Sequence, residues 1–384
     1  MIKMNHLKKK SQIFTFILGT VIALGVSEAR ALEIHSKQAI LIDLTTHTVL
    51  FSKNPKEPTY PSSMTKMMTA YLAFEEIKAG RFKLEQTFSV SENAWRKQGS
   101  KMFLPMGGSV SILDLLKGII ISSGNDAAIC MAEGIAGTEE AFAEMMTKRA
   151  HDLGAVNTTF KNASGWPDPE QVTTVEDLAI IAERTIKDFP EFYDMYKETE
   201  FTYHNIHQQN RNPLLYANLW ADGLKTGHTD LGGYGLTAST LNNGRRLVLV
   251  INGAESKKDR ADDSKALIRY GYNMFESPLI FKENDVVESV DVWLGNEAKV
   301  NLIVDKDLYI TVPRPVLKDV KVVLNYPNPI AAPINKGDVV GSVVVHVPGS
   351  EPVEVKLKAE KSVSKAGAFS RFKAMIHYLF WGHN

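Results

Sequence analysis

The sequence predicts an α/β chain of the α+β type, a helix-rich domain around an antiparallel sheet followed by a small all-β domain. Three observations predict it. The chain has 384 residues, too many for one compact core and enough for two. Residues 32–279 carry strand signals at both ends with helical periodicity between them, so the terminal strands are expected to meet in one sheet. From about residue 280 the helical period stops, and Val-rich runs alternate with prolines, the pattern of short strands.

Residues 1–31 read as a secretory signal peptide. Lys3, Lys8, Lys9 and Lys10 form a basic start, Ile13 to Val26 form an apolar run, and Ala29-Arg30-Ala31 offers small residues for cleavage. Fourteen apolar residues fall short of the ~20 that span a bilayer.

In the first domain, Ala39 to Leu44 and Val49 to Phe51 form an expected hairpin around Thr45 to Thr48. Gly235 to Thr240 and Leu247 to Ile251 form a second, turning at Asn243-Gly244, the strongest short hairpin signal. Helices are expected over Met64 to Ile77, Leu113 to Ile121, Ala127 to Ile135, Ala141 to Leu153 and Val175 to Ile186, from apolar residues three and four apart. In residues 280–358 the expected strands are Val300 to Val304, Leu308 to Val312, Val320 to Leu324 and Val339 to Val347. Residues 359–384 end the chain with Phe369, Phe372, Ile376, Leu379 and Phe380 on one helical stripe and Arg371 and Lys373 off it. That is an amphipathic helix suited to an anionic membrane surface, or to packing on its own protein.

Charge and composition narrow the function. Forty-four Lys and Arg balance 44 Asp and Glu, which gives no support to a basic nucleic-acid binder. Without residues 1–31 there remain 39 basic and 43 acidic residues, a net of −4. The final 26 residues hold +3 of that, leaving −7 on residues 32–358. One cysteine, Cys130, excludes an intramolecular disulfide and any Cys-based metal cluster. Between Ile129 and Met131 it reads as a buried thiol. His204 and His207 have no third ligand at a suitable spacing, so no metal site is expected there.

Three short motifs carry chemistry. Pro61-Ser62-Ser63-Met64-Thr65-Lys66 opens the first strong helix, and Ser63 and Lys66, three apart, share a face. A helix-start serine feels the positive end of the macrodipole, which favours a developing oxyanion. Lys66 can act as a base only if burial and a nearby positive charge bring its pKa toward neutrality. Alone the motif is weak, since roughly one S-x-x-K is expected by chance in such a chain; Ser362 to Lys365 and Ser370 to Lys373 match too. Lys225-Thr226-Gly227 is the one K-T-G. Its lysine can supply the charge Lys66 needs, its threonine can bind a carboxylate, and its glycine admits a backbone against the strand. Ser123-Gly124-Asn125 follows an apolar helix where that helix should end. Ser91-Glu92-Asn93 is a decoy, better read as a helix N-cap.

In that order the three motifs are the active-site set of the penicillin-recognising serine enzymes, and the mature chain resembles the serine D-alanyl-D-alanine carboxypeptidases, the low-molecular-mass penicillin-binding proteins. Tyr60 to Lys66, Ser123 to Ala127, Asn210-Arg211-Asn212 and Asp222 to Thr229 carry the resemblance. It implies a penicillin-binding, serine β-lactamase-like fold for the catalytic domain. It implies that Ser63 attacks the carbonyl between two terminal D-alanines of a peptidoglycan stem. Lys66 would take the serine proton, tuned by Lys225 and Asn125, and Ser123 would relay a proton to the leaving amine. The backbone N–H groups of Ser63 and His228 would form the oxyanion hole, Thr226 and Arg260 would hold the terminal carboxylate, and Gly227 would lie against the substrate. No metal or cofactor is needed. The resemblance further implies export to the periplasm, attachment to the outer face of the cytoplasmic membrane through the tail, and acylation by β-lactams.

Rival readings are a transpeptidase of the same family and a non-catalytic cell-wall scaffold. A class A β-lactamase would need a deacylating E-x-x-x-N element; here Glu170 is followed by Thr174, and Pro167 and Pro169 flank the loop. Trp166 reads as a packed loop aromatic that could also line the cleft.

Overall fold

A computed structural model describes residues 32–368. The expected signal peptide and the stripe from Phe369 onward lie outside the described residues. The chain divides into two compact units between Asn273 and Met274.

The first unit contains, in chain order, β1 (Gln38–Asp43), β2 (Thr48–Lys53), α1 (Lys66–Lys78), β3 (Thr87–Ser89), α2 (Glu92–Arg96), β4 (Ser109–Ser111), α3 (Ile112–Ile120) and α4 (Asn125–Ala136). It continues with α5 (Glu139–Leu153), α6 (Val175–Asp188), α7 (Pro190–Tyr193), β5 (Glu200–Tyr203), β6 (Ile206–Gln209), β7 (Ala221–Thr229), β8 (Gly233–Asn242), β9 (Arg245–Ala254) and α8 (Lys257–Met274). A five-stranded antiparallel sheet runs β2-β1-β9-β8-β7. The terminal strands do meet: Ile40 pairs with Val250 and Gln38 with Asn252. Both expected hairpins form, β1 with β2 and β8 with β9. β7 is left as an edge strand.

The helices bury α1 almost entirely. Met67, Met68, Ala70, Tyr71, Leu72 and Phe74 are all sequestered, so α1 shows apolar residues on every side, as a central helix does. α3 and α4 pack around it with Leu115, Ile119, Ile129 and Met131. Caps mark the boundaries: the hydroxyls of Ser111, Thr138 and Thr174 accept the N–H groups of Asp114, Ala141 and Asp177. Ser91 likewise accepts the Ala94 N–H at 3.0 Å, the capping role read from the sequence.

The second unit is all-β. Its main sheet has the order Lys321–Asn325, Val339–His346, Val353–Ala359, Lys299–Ile303, Val286–Trp293, Ile330–Ala331. Val300, Leu302, Val343, Val345 and Leu357 fill its core. Val286–Trp293 and Val353–Ala359 are strands the sequence reading did not name, because Glu288 and Asp291 interrupt the first and Glu354, Lys356 and Lys358 alternate through the second. Strand pairing also runs past residue 358. Val363 bridges Ile334 and Lys365 bridges Gly295, so residues 359–365 belong to this unit and not to the tail helix expected from 359.

Candidate active site

Ser63 sits in a 3-10 turn, Ser62–Thr65, that feeds directly into α1, and Lys66 is the first residue of α1. The helix expected from Met64 thus begins with a tighter turn. Three residues per turn bring positions i and i+3 into near eclipse, and the Lys66 Nζ lies 3.2 Å from the Ser63 Oγ. The same ammonium donates to the Asn125 Oδ1 at 2.7 Å and to the Ser164 carbonyl oxygen. Lys66 is 1% exposed. Burial, then the Arg211 guanidinium and Lys97, lower its pKa to about 7, against the pull of Asp126 and Glu139.

Asn125 opens α4, where its Nδ2 donates to the Gln98 carbonyl at 2.8 Å. The next residue fixes the rim. The buried Asp126 carboxylate accepts the N–H groups of Met102 and Phe103 at 2.9 Å and of Leu104 at 3.2 Å. Ser123 is buried with φ 58°, and its Oγ has no hydrogen-bond partner among the described residues.

β7 brings the third motif. Lys225 and Thr226 are buried. Gly227 lies where a Cβ would come within 3.0 Å of the Pro61 carbonyl oxygen and 3.2 Å of the Ser62 Cβ. A Cβ at this position would press on the serine turn, so the glycine also eases the packing of β7 against it. Ser62, at φ 50°, is tied to the same strand by the Thr229 hydroxyl at 2.8 Å. His228 is exposed and its ring stacks on Tyr234, centroids 3.9 Å apart.

Lys225, expected to supply a positive charge beside Lys66, is electrostatically coupled to it. It is fully buried, and burial, then the Lys66 ammonium, Arg211 and Arg260, push its own pKa well down. The fixed cation is Arg211, held by a 2.6 Å hydrogen bond to the Ser100 hydroxyl. Arg260 is buried beneath the strand, its guanidinium 5.8 Å from the Tyr234 ring, and its Nε has no partner among the described residues.

The structure thus brings Ser63, Lys66 and Asn125 into direct contact, with Ser123 beside Asn125 in the chain and Lys225 to His228 on the strand that abuts the serine turn. Three contributors were missed. The Ser164 carbonyl is a backbone group and left no trace in residue type. Gly165, φ 76°, has no room for a Cβ, which would meet the Ser62 carbonyl oxygen at 1.8 Å. Arg211 was quoted only as part of a resemblance. Trp166 flanks this loop, half-exposed, with the Lys97 ammonium 4.9 Å from its ring. Glu170 points away: it pairs with Lys161 at 3.1 Å and its side chain is 74% exposed, so the loop supplies no carboxylate toward Ser63.

Two depressions adjoin the serine turn. A shallow one is bounded by Ser62, Gly165, Trp166 and Leu231. A larger cavity of about 560 Å³ lies beyond it, walled by Tyr60, Thr229 and Leu231 and by the ends of β1 and β9. Ser63 and Lys66 do not line the larger one, so the chemistry is located by the Ser63–Lys66–Asn125 geometry and not by cavity size. Cys130 is buried and its thiol is pushed up to about 12 by burial, as befits a packing residue. Among the described residues no group of His, Cys, Asp and Glu could hold a metal ion.

The chain is similar to known proteins along most of its length. Residues 25–256 match the peptidase S11 family, described as D-alanyl-D-alanine carboxypeptidase, and residues 275–365 match the penicillin-binding protein 5 C-terminal domain. The chain is 36% identical to the D-alanyl-D-alanine carboxypeptidase DacC of Escherichia coli over 93% of this chain and 92% of that one. It is also 36% identical to DacA of the same organism, over 91% and 89%. The crystal structure of penicillin binding protein 5 from Haemophilus influenzae superposes with a TM-score of 0.77 at 34% identity, covering 87% of this chain and 98% of that one.

Proposed function

The chain belongs to the D-alanyl-D-alanine carboxypeptidase family, and from that premise we propose how its residues remove the terminal D-alanine of a peptidoglycan stem peptide. The observation that carries the reading is the Ser63 Oγ set 3.2 Å from a buried Lys66 whose pKa is lowered to about 7. Near neutral pH a large share of Lys66 is then an amine that can take the serine proton.

The Ser63 oxygen attacks the carbonyl between the last two residues, and its proton passes to Lys66. The backbone N–H groups of Ser63 and His228 receive the oxyanion, an arrangement worth ~2.7–4 kcal/mol per donor. The C–N bond breaks as the leaving amine gains a proton through Ser123, whose buried hydroxyl has no partner among the described residues. D-Alanine departs, an ester on Ser63 remains, and water hydrolyses it. Thr226, with Arg260 behind it, holds the terminal carboxylate; the edge position of β7 leaves its backbone free to pair with an extended peptide. β-Lactams acylate Ser63 by the same attack and leave slowly, because Glu170 faces solvent and offers no base for deacylation.

The basic, apolar start of residues 1–31 supports export to the periplasm, and the stripe Phe369, Phe372, Ile376, Leu379 and Phe380 supports attachment to an anionic membrane surface. Deleting residues 369–384, which spares the paired residues 359–365, is expected to abolish co-sedimentation with anionic liposomes; unchanged co-sedimentation refutes the anchor. For the enzyme, D-alanine release is measured from a peptide ending in Lys-D-Ala-D-Ala. Release by the wild type and none by Ser63→Ala is expected; equal release by both would remove Ser63 from the mechanism.

A further inference from the structure

The cavity of about 560 Å³ beside the serine turn is not used by the chemistry above. Glu57, Asp230 and Glu255 stand on its wall with Lys37. None of the three carboxylates forms an ion pair among the described residues, and three acids against one lysine leave a net charge of −2. A second feature points the same way. Gln38 lines the cavity and is 5% exposed, yet its Oε1 has no hydrogen-bond partner among the described residues. Gln38 sits opposite Asn252 across β1 and β9, so their side chains share a face. Asn252 donates to the Thr59 Oγ1 of the cavity wall at 2.6 Å, which places Gln38 on the cavity side. Carboxylates and an amide oxygen are acceptors only, and the matching ligand group is an ammonium, with three donors and no acceptor. The volume is in the range of sites for a side chain or small molecule, not for a bare ion.

The cavity also adjoins the depression beside the serine turn. Tyr60, Thr229 and Leu231 line both it and the depression that holds Ser62 and Trp166. With the substrate carboxylate at Thr226 and the scissile carbonyl at His228, an extended peptide runs antiparallel to β7, and its acyl side continues toward Thr229 and Asp230. Asp230 opens the turn after β7, two residues past His228 and at most ~7 Å from it along the chain, within reach of a lysine-length side chain. We propose that this cavity is a specificity subsite for the free side-chain ammonium of the residue preceding the D-alanines, so that the enzyme selects stems with an unmodified amine. The proposal rests on the carboxypeptidase reading above.

The test compares two peptides ending in Lys-D-Ala-D-Ala, one with the lysine amine free and one with it acetylated, on wild type and on the combined variant Glu57→Gln, Asp230→Asn, Glu255→Gln. The wild type is expected to favour the free amine on the order of tenfold in kcat/KM, a preference that shrinks in high salt as exposed charges are screened. The combined variant should lose the preference while keeping its kcat/KM on the acetylated peptide. Equal kcat/KM on both peptides in the wild type, or an undiminished preference in the variant, overturns the subsite. The rate of Ser63 acylation by an uncharged-side-chain penicillin reports whether the variant is folded. Calorimetric binding of both peptides to Ser63→Ala reads the subsite without turnover. If the wild type releases no D-alanine from either peptide, the carboxypeptidase reading falls, and the affinity ratio on Ser63→Ala still decides the subsite.

Discussion

The Lys66 ammonium is shifted far enough to set the pH dependence of acylation. Burial first, and Arg211 next, take it from 10.5 to about 7, which corresponds to roughly 5 kcal/mol favouring the neutral amine. At pH 7 about half of the lysine is then able to accept the Ser63 proton, against about one part in 3,000 for an unshifted side chain. The second-order rate of Ser63 labelling by a fluorescent penicillin should therefore be level above pH ~8 and fall about tenfold per unit below pH ~6.5. Removing a cation raises the pKa of a neighbouring ammonium, so Arg211→Gln should move the whole acid limb to higher pH and slow labelling most at pH 6. A labelling rate unchanged from pH 5.5 to 8.5, or a limb that Arg211→Gln leaves in place, would refute Lys66 as the base. Stability carries the same signature. Between pH 7 and 10.5 the folded state binds fewer protons at Lys66 than the unfolded state, so the destabilisation from burying it is full below pH 7 and relaxes as pH rises. Melting temperatures of wild type and Lys66→Met should accordingly converge, or shift in favour of the wild type, across that window.

Other substitutions test the scaffold around it. Gly165→Ala forces a Cβ onto the Ser62 carbonyl oxygen from a φ of 76°, and should cut penicillin labelling at least a hundredfold with circular dichroism unchanged; normal labelling would show that the loop yields. Asp126→Ala strips three backbone N–H groups at Met102, Phe103 and Leu104 of their acceptor and should cost about 3 kcal/mol in urea unfolding. Glu170→Gln should leave the half-life of the penicillin adduct unaltered, since that carboxylate pairs with Lys161 at the surface; a longer-lived adduct would return Glu170 to the deacylation step.

The sequence made the catalytic trio legible because S-x-x-K, S-x-N and K-T-G are local strings whose order is informative. The sheet was legible from its ends, since the apolar run of β1 and the Asn-Gly turn before β9 are short-range signals. Contributions that arise only on folding were not. Arg211 modulates Lys66 through space from a segment more than a hundred residues away, and nothing in its sequence neighbours marks it as acting on Lys66. The Ser164 carbonyl acts through the backbone, which residue type does not encode. The hairpin of β5 and β6 was read as a polar stretch because Glu200, Thr202, His207 and Gln209 face solvent. In the second unit Val286–Trp293 hid for the same reason.

The joining of β1 to β9 pairs Gln38 with Asn252, closing a loop of more than two hundred residues. Such a closure is entropically unfavourable until many contacts compensate it, and topologies rich in distant pairings fold slowly. The two walls of the cleft inherit this delay: the serine turn leaves the ribosome early, β7 arrives some 160 residues later, and neither is braced until β9 slots between β8 and β1. A chain halted before β9 would hold Ser63, Lys66, Ser123, Asn125 and Lys225 and still present no assembled cleft. Capacity to take up a penicillin label is therefore a late marker of chain maturation, usable as a clock for folding.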